Sequence, residues 1–293
     1  MSSTGIGSHD GSFAATDWVI IGALALIWGS AFMWIAIGLD ALAPGVVAWL
    51  RVVLGAVALL LIPRSRRRID RADWKGVAII AIAGNAAPAL LFAVAEQELD
   101  SAVAGMITSA TPVATLVLAF WLGNRAVTRG QVLGLVAGFV GVVAMAAPDV
   151  LGANAPVVEV GLVLLAVLGY ATVNNVVVPL QQRYGGLVVV AQAQALAALV
   201  LTPFGLTGLR SSEFDLGPVL AIVFLGVVGT GFSRVLSATL VGRVGPQRGS
   251  VVAYFVPVVA IVLGVMVRGE SIEAVQIIGL VFVLVGAALI SRR

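Results

Sequence analysis

Of the 293 residues, 60% are hydrophobic and 11% charged, where an ordinary soluble domain carries roughly 25% charge. Adding the 34 glycines brings the apolar share to about 72%, against roughly 45 to 50% in soluble chains, so the composition excludes a soluble globular protein and implies a lipid solvent. The net charge is +3, but the basic residues sit between apolar runs, which excludes the continuous basic face that a nucleic-acid partner needs. With no cysteine and a single histidine, His9, there is no disulfide framework, no thiolate nucleophile and little scope for a metal centre. No cofactor is expected.

Residues 1–16 are small and polar and lack Lys or Arg, unlike a secretory signal peptide, and read as a disordered cytoplasmic tail. A membrane-spanning helix needs about 20 mostly apolar residues. Ten such runs follow in chain order, near 17–38, 42–62, 74–94, 101–121, 129–147, 158–178, 187–208, 217–240, 247–267 and 272–291. The connections are short, so function is expected inside or across the bilayer. The predicted fold class is an all-α polytopic membrane protein.

Cytoplasmic loops collect Lys and Arg. With the N-terminus inside, the inner segments hold Arg64, Arg66, Arg67, Arg68, Arg71, Lys75, Arg125, Arg129, Arg183, Arg243, Arg248, Arg292 and Arg293, and the outer loops only Arg210 and Arg268. Both termini are therefore expected in the cytoplasm of a multi-pass inner (plasma) membrane protein.

A shift of 145 residues aligns Pro112 with Pro257, Gln131-x-x-Gly134-Leu135-Val136 with Gln276-x-x-Gly279-Leu280-Val281, and Gly141 with Gly286. The expected organisation is thus two five-helix repeats, 17–147 and 158–291. An odd number of spans makes the second copy enter the membrane from the opposite side, the inverted arrangement that many transporters use.

The acidic residues lie in the tail, in loops or near span ends, with Glu96, Glu98 and Asp100 grouped at an outer mouth. No carboxylate pair is placed for acid–base or two-metal chemistry at mid-membrane, and no buried His or Lys stands ready to activate a hydroxyl. An enzyme is not expected. Proton-driven exporters use a carboxylate inside the membrane, so facilitated or exchange transport is expected at least as strongly as proton coupling, with Glu98 or Asp100 as groups able to titrate from the mouth.

A guanidinium within a span costs about 2.5 to 3.5 kcal/mol on insertion scales and normally faces an interior cavity or a partner. Arg234 and Arg51 are such groups. Each reads either as a binder of an anionic substrate group, or as a structural charge: Arg234 snorkelling to the inner surface, Arg51 reaching carbonyls or a loop acid. The polar and aromatic residues expected to line a substrate cavity are Trp28, Asn85, Thr108, Thr111, Tyr170, Asn174, Arg234 and Tyr254, with Arg51 as a further intramembrane charge. Pro88, Pro112 and Pro257 read as hinges, because proline frees a helix carbonyl. The glycines of the fifth and tenth spans form stripes that suit close helix packing within the chain or at a dimer face, and a monomer or homodimer is expected.

Trp28-Gly29-Ser30-Ala31-Phe32, Trp49-Leu50-Arg51, Ser101-Ala102 through Thr111-Pro112-Val113, Gln131-x-x-Gly134, Tyr254-x-x-Pro257-Val258, Gly269-Glu270 and Gln276-x-x-Gly279, taken in this order, resemble the EamA family of the drug/metabolite transporter superfamily over essentially the whole chain. The resemblance implies export or exchange of small metabolites, often amino acids, through a central cavity lined by spans one, three, four, six, eight and nine. Two departures stand out: the first-half Gly-Glu element reads Gly123-Asn124, and Arg234 replaces an aromatic or small residue. The sequence therefore predicts a transporter of a small carboxylate-bearing metabolite working by alternating access. A multidrug exporter of cationic compounds, and a non-transporting lipid-binding or assembly protein, are the alternatives.

Overall fold

The computed structural model describes residues 14–121, 129–151, 156–244 and 252–291, and all regular structure among them is helical. The Gly123-Asn124 element, Arg125, Arg248, Arg292, Arg293, His9 and residues 1–13 of the expected tail lie outside the described residues, as do the side chains of Gln131, Asn175 and Tyr254. The helices are α1 (Ala15–Leu39), α2 (Pro44–Leu60), α3 (Trp74–Ala81), α4 (Ala87–Ala95), α5 (Ser101–Thr108), α6 (Thr111–Trp121), α7 (Arg129–Leu151), α8 (Val157–Tyr184), α9 (Gly186–Gly208), α10 (Leu216–Phe224), α11 (Ser233–Val244), α12 (Val252–Leu263) and α13 (Ala274–Ser291). α1 opens at Ala15, two residues inside the expected tail. Six segments are long and apolar enough to cross a membrane, and four further apolar helices are shorter.

Several expected spans are interrupted rather than straight. A π turn, Ile82–Ala86, joins α3 to α4, and a longer one, Leu225–Phe232, joins α10 to α11. Wide turns of this kind leave backbone carbonyls off the regular ladder, and both occur where Gly and Asn or Thr replace bulky apolar residues. α5 and α6 are separated at Ser109–Ala110, and the Thr111 hydroxyl donates to the Thr108 carbonyl across the break at 2.6 Å. Pro88 follows the first π turn in the first turn of α4 and Pro112 follows the α5–α6 break in the first turn of α6, whereas Pro257 lies inside the continuous α12. α8 and α9 meet at Gly185 alone, whose φ of +81° is a conformation that side chains with a Cβ rarely adopt.

The main packing pairs are α7 with α13, α2 with α9, α1 with α12, α4 with α8, and α5 with α12. The glycine stripes belong to the first of these, within one chain. A Cβ added at Gly286 would lie 2.5 Å from the Gly134 carbonyl oxygen, and one added at Gly141 would lie 2.5 Å from that of Gly279. Backbones this close need glycine on both sides. Gly286→Ala is accordingly expected to force α7 and α13 apart and to destabilise the folded chain by about 1 to 3 kcal/mol, readable as a lowered Tm in detergent with α-helix content unchanged at low temperature.

Ion pairs clamp both ends of the bundle. At one end Arg183 bridges Asp70 and Asp73 at 2.6 Å each, and Arg243 of α11 reaches Asp17 of α1 at 2.7 Å. At the other end Arg268 holds Asp40 through two bonds of 2.8 and 3.1 Å. Trp49 packs on Gly205 and donates its ring N–H to Thr202 at 3.2 Å, within the α2–α9 contact.

Candidate functional site

Two of the three π turns among the described residues, Ile82–Ala86 and Leu225–Phe232, organise the centre of the bundle; the third, Gly264–Arg268, follows α12. In the first, Asn85 is buried and its side-chain amide donates to the Ile80 carbonyl at 2.9 Å, which holds the wide turn open. Among the described residues, its Oδ1 has no hydrogen-bond partner. The Gly84 carbonyl of the same turn accepts from Nη2 of Arg234 at 3.0 Å. Arg234 thus crosses from α11 into the other half of the chain instead of snorkelling along its own helix. Its guanidinium lies 5.3 Å from the centre of the Tyr170 ring, within cation–π range. Tyr170 stacks in turn on Phe92, with ring centres 6.2 Å apart, and Phe92 meets Phe32 edge to face at 5.4 Å.

The second π turn receives the other arginine. Arg51 is 9% exposed, and its Nε donates to the Thr230 hydroxyl at 3.2 Å. The Thr230 carbonyl, freed by the turn, accepts from the side-chain amide of fully buried Gln194. Gly226, Gly229 and Gly231 surround this point, and backbone from α2 closes in to 3.3 Å of the Cβ position at Gly231. Trp28 of α1 donates its indole N–H to Ser233 at 3.0 Å, and Ser233 donates to the Gly229 carbonyl at 2.6 Å. Each of these two turns therefore meets an arginine that comes from the opposite half of the sequence. The 145-residue shift that aligns Pro112 with Pro257 carries Asn85 onto Thr230, so the two turns occupy matching places in the two halves.

Of the residues picked out in the sequence, Arg234, Tyr170, Asn85 and Arg51 come together around this centre, and Trp28 borders it through Ser233. Arg51 lies within electrostatic reach of both Tyr170 and Arg234. Thr108 and Thr111 spend their hydroxyls on carbonyls of the α5–α6 break, at 2.8 and 2.6 Å. Asn174 is exposed and donates to Thr115 at 3.3 Å, tying α8 to α6. Gln194, Thr230 and Ser233 were not singled out in the sequence. The signal available for Thr230 was its setting between Gly229 and Gly231, and for Gln194 only an amide in an otherwise apolar run.

The acidic mouth departs most from expectation. Glu96 was grouped with Glu98 and Asp100 as an end-of-span acid, yet it is 8% exposed, and neither of its oxygens has a hydrogen-bond partner among the described residues. Asp17 is likewise fully buried, against Arg243. Both acids sit at the ends of their spans as the sequence reads them, Asp17 in the first turn of α1 and Glu96 directly after α4, but the packed helices bury them there. Glu96 lines a pocket of about 300 Å3 together with Glu98, Asp100, Ser101, Arg268 and Glu270. Glu270 is occupied there: its Oε1 accepts from the Ser101 N–H at 3.0 Å and hydroxyl at 2.6 Å, and its Oε2 accepts from the Ala102 N–H at 2.8 Å. A carboxylate at a helix N-terminus satisfies orphan donors and complements the helix dipole. Glu270→Ala is expected to cost about 1 to 3 kcal/mol and to raise hydrogen exchange at Ser101 and Ala102 above that of the α5 interior.

The EamA-like transporter family model matches residues 17–147 and again 158–292, and the chain belongs to that family of membrane transporters. It is 25% identical over 276 residues to an uncharacterized transporter of Archaeoglobus fulgidus, covering 94% of this chain and 99% of that one. It is 28% identical over 273 residues to a protein of Streptantibioticus cattleyicolor named a probable terminal-alkyne amino-acid exporter, covering 91% and 90%. With a protein of Salmonella typhimurium named a probable amino-acid metabolite efflux pump it shares 22% over 273 residues, 90% of each chain. A solved crystal structure superposes on 94% of this chain and 96% of its own with a TM-score of 0.62 at 15% identity, a likeness of fold.

Proposed function

We propose that this transporter exports or exchanges a small carboxylate-bearing metabolite, an amino acid or close relative, by alternating access around the arginine centre. The observation that carries the reading is the pair of guanidiniums, Arg51 and Arg234, each anchored on the π turn of the opposite half, with Arg234 against the Tyr170 ring and Arg51 within electrostatic reach of both. Two fixed cations inside an apolar bundle attract an anionic group strongly, because little water competes for it. The stacked Tyr170, Phe92 and Phe32 offer an apolar face beside that charge. The names of two relatives point to the same chemical class.

In this reading ten spans form two inverted five-helix halves. The support is in the pairing: Gly134 meets Gly286 while Gly141 meets Gly279, and since the repeat maps Gly134 to Gly279 and Gly141 to Gly286, this is the reciprocal relation that a two-fold axis imposes. The two central π turns then act as the bistable elements, each able to exchange its arginine for substrate. The end carrying Arg64 to Arg71 faces the cytoplasm of an inner membrane, and the acidic mouth faces out.

Counterflow into liposomes containing the purified protein, with labelled amino acids, nucleosides and cationic dyes, tests the proposal. Amino-acid flux that falls in Arg234→Ala supports it; movement of cationic dyes alone overturns it in favour of a drug exporter, and flux of no solute at all favours a non-transporting role.

A further inference from the structure

Glu96 begins the chain beyond the last residue of α4 and is the one pocket-lining carboxylate of the acidic mouth that is both buried and without a hydrogen-bond partner on either oxygen among the described residues. The charged groups facing it come from three places: Arg51 on α2, Arg268 and Glu270 ahead of α13, and Glu98 and Asp100 on its own loop. Arg268 is engaged by Asp40, and Glu270 by the N-terminus of α5. A carboxylate buried with no donor is costly in its charged form, so something must neutralise it. Two occupants fit: a proton, or a small cationic group entering from the pocket.

We infer that Glu96 is the cation-binding group of this transporter, exchanging a bound proton for the ammonium group of a zwitterionic substrate whose carboxylate is held by the arginine centre. The inference rests on the amino-acid reading above. The step balances without a further reactant: the O–H bond of the Glu96 carboxyl breaks, its proton passes to water, and the resulting carboxylate pairs with the incoming ammonium. Arg51, within electrostatic reach of Glu96 on one side and of Tyr170 and Arg234 on the other, links the two poles. Burial, opposed by Arg51, pushes the Glu96 carboxyl well above the usual carboxylate range. The proton thereby becomes a competitor of the substrate, and the coupling absent from the mid-span sequence is supplied by a loop residue.

The experiment adds an equimolar mixture of L-amino acids to the purified full-length protein in weakly buffered detergent containing a pH-sensitive dye, with sodium acetate as the control. The expected result is release of about one proton per protein in the parent, none in Glu96→Gln, and none with acetate. In liposomes the apparent affinity for the transported amino acid should rise by up to about tenfold per unit of outside pH until Glu96 is ionised, and Glu96→Gln should flatten this profile. Should Glu96→Gln fail to reach the membrane, Glu96→Asp decides: proton release with a shifted midpoint supports the site, and an unshifted midpoint overturns it. Amino-acid counterflow in the parent without proton release, or with release undiminished in Glu96→Gln, overturns the exchange and leaves the exporter reading standing. Absence of any amino-acid counterflow overturns both.

Discussion

Arg234→Ala is expected to lower amino-acid counterflow about 10- to 100-fold while leaving the protein folded. The contact of Arg234 with the Gly84 carbonyl is one neutral acceptor, and its stacking on Tyr170 is a partly exposed cation–π contact, together worth on the order of 1 to 2 kcal/mol. A substrate carboxylate bonded to the same guanidinium adds a charge-assisted interaction of about 1.5 to 3 kcal/mol, which at about 1.4 kcal/mol per decade gives the stated range. Arg234→Lys keeps the charge and loses the planar fork that spans carbonyl and ring, so it should recover part of the flux and bind less selectively. Counterflow initial rates and the Tm of each variant separate the outcomes: unchanged flux in Arg234→Ala removes Arg234 from the site, whereas equal loss of flux and of Tm would mark it as a structural charge.

The second large effect is on stability. Asp17 is fully buried in the first turn of α1, where it accepts the Ala14 N–H at 2.9 Å and the Arg243 guanidinium at 2.7 Å. Arg243→Ala removes one charged partner of a carboxylate with no exposed surface, and losing a hydrogen bond to a charged group costs about 1.5 to 3 kcal/mol. Arg243→Ala is therefore expected to lower Tm more than Asp17→Asn does, because the amide carries no charge to leave buried and Arg243 is a quarter exposed. Combining the two substitutions should recover part of the loss, the signature of direct coupling. If Arg243→Ala and Asp17→Asn prove equally mild and additive, the pair contributes little to holding α11 against α1.

Much was legible before any coordinates. Apolar content named the membrane as the solvent, and the absence of Cys removed thiol chemistry. The ordered Trp28-Gly29-Ser30, Thr111-Pro112 and Gln276-x-x-Gly279 elements pointed to the family that the whole-chain match shows. Arg234 and Arg51 drew notice as costly intramembrane charges, since the penalty for a guanidinium in lipid can be read from its position in an apolar run. The same held for the spacing of Gly134, Gly141, Gly279 and Gly286, although whether they packed within one chain or between two did not follow from spacing.

Tertiary contact decided the rest, because burial and partnership belong to pairs of distant segments. Glu96 and Glu98 are two residues apart and equally acidic; only the fold over them makes Glu96 buried and unpartnered. Asp17 opens the first span as a lone acid, and only the fold brings Arg243 of α11 to it across 226 positions. Thr230 between two glycines and Gln194 as an amide in an apolar run are weak signals, and both gain a role only because a π turn exposes one carbonyl and one hydroxyl to partners 36 and 179 residues away. Composition and periodicity determine what solvent a segment needs and therefore the class of the fold, since those are averages over many residues. Which single polar group meets which is decided by a few ångströms of helix placement, and that information exists only once the helices have packed.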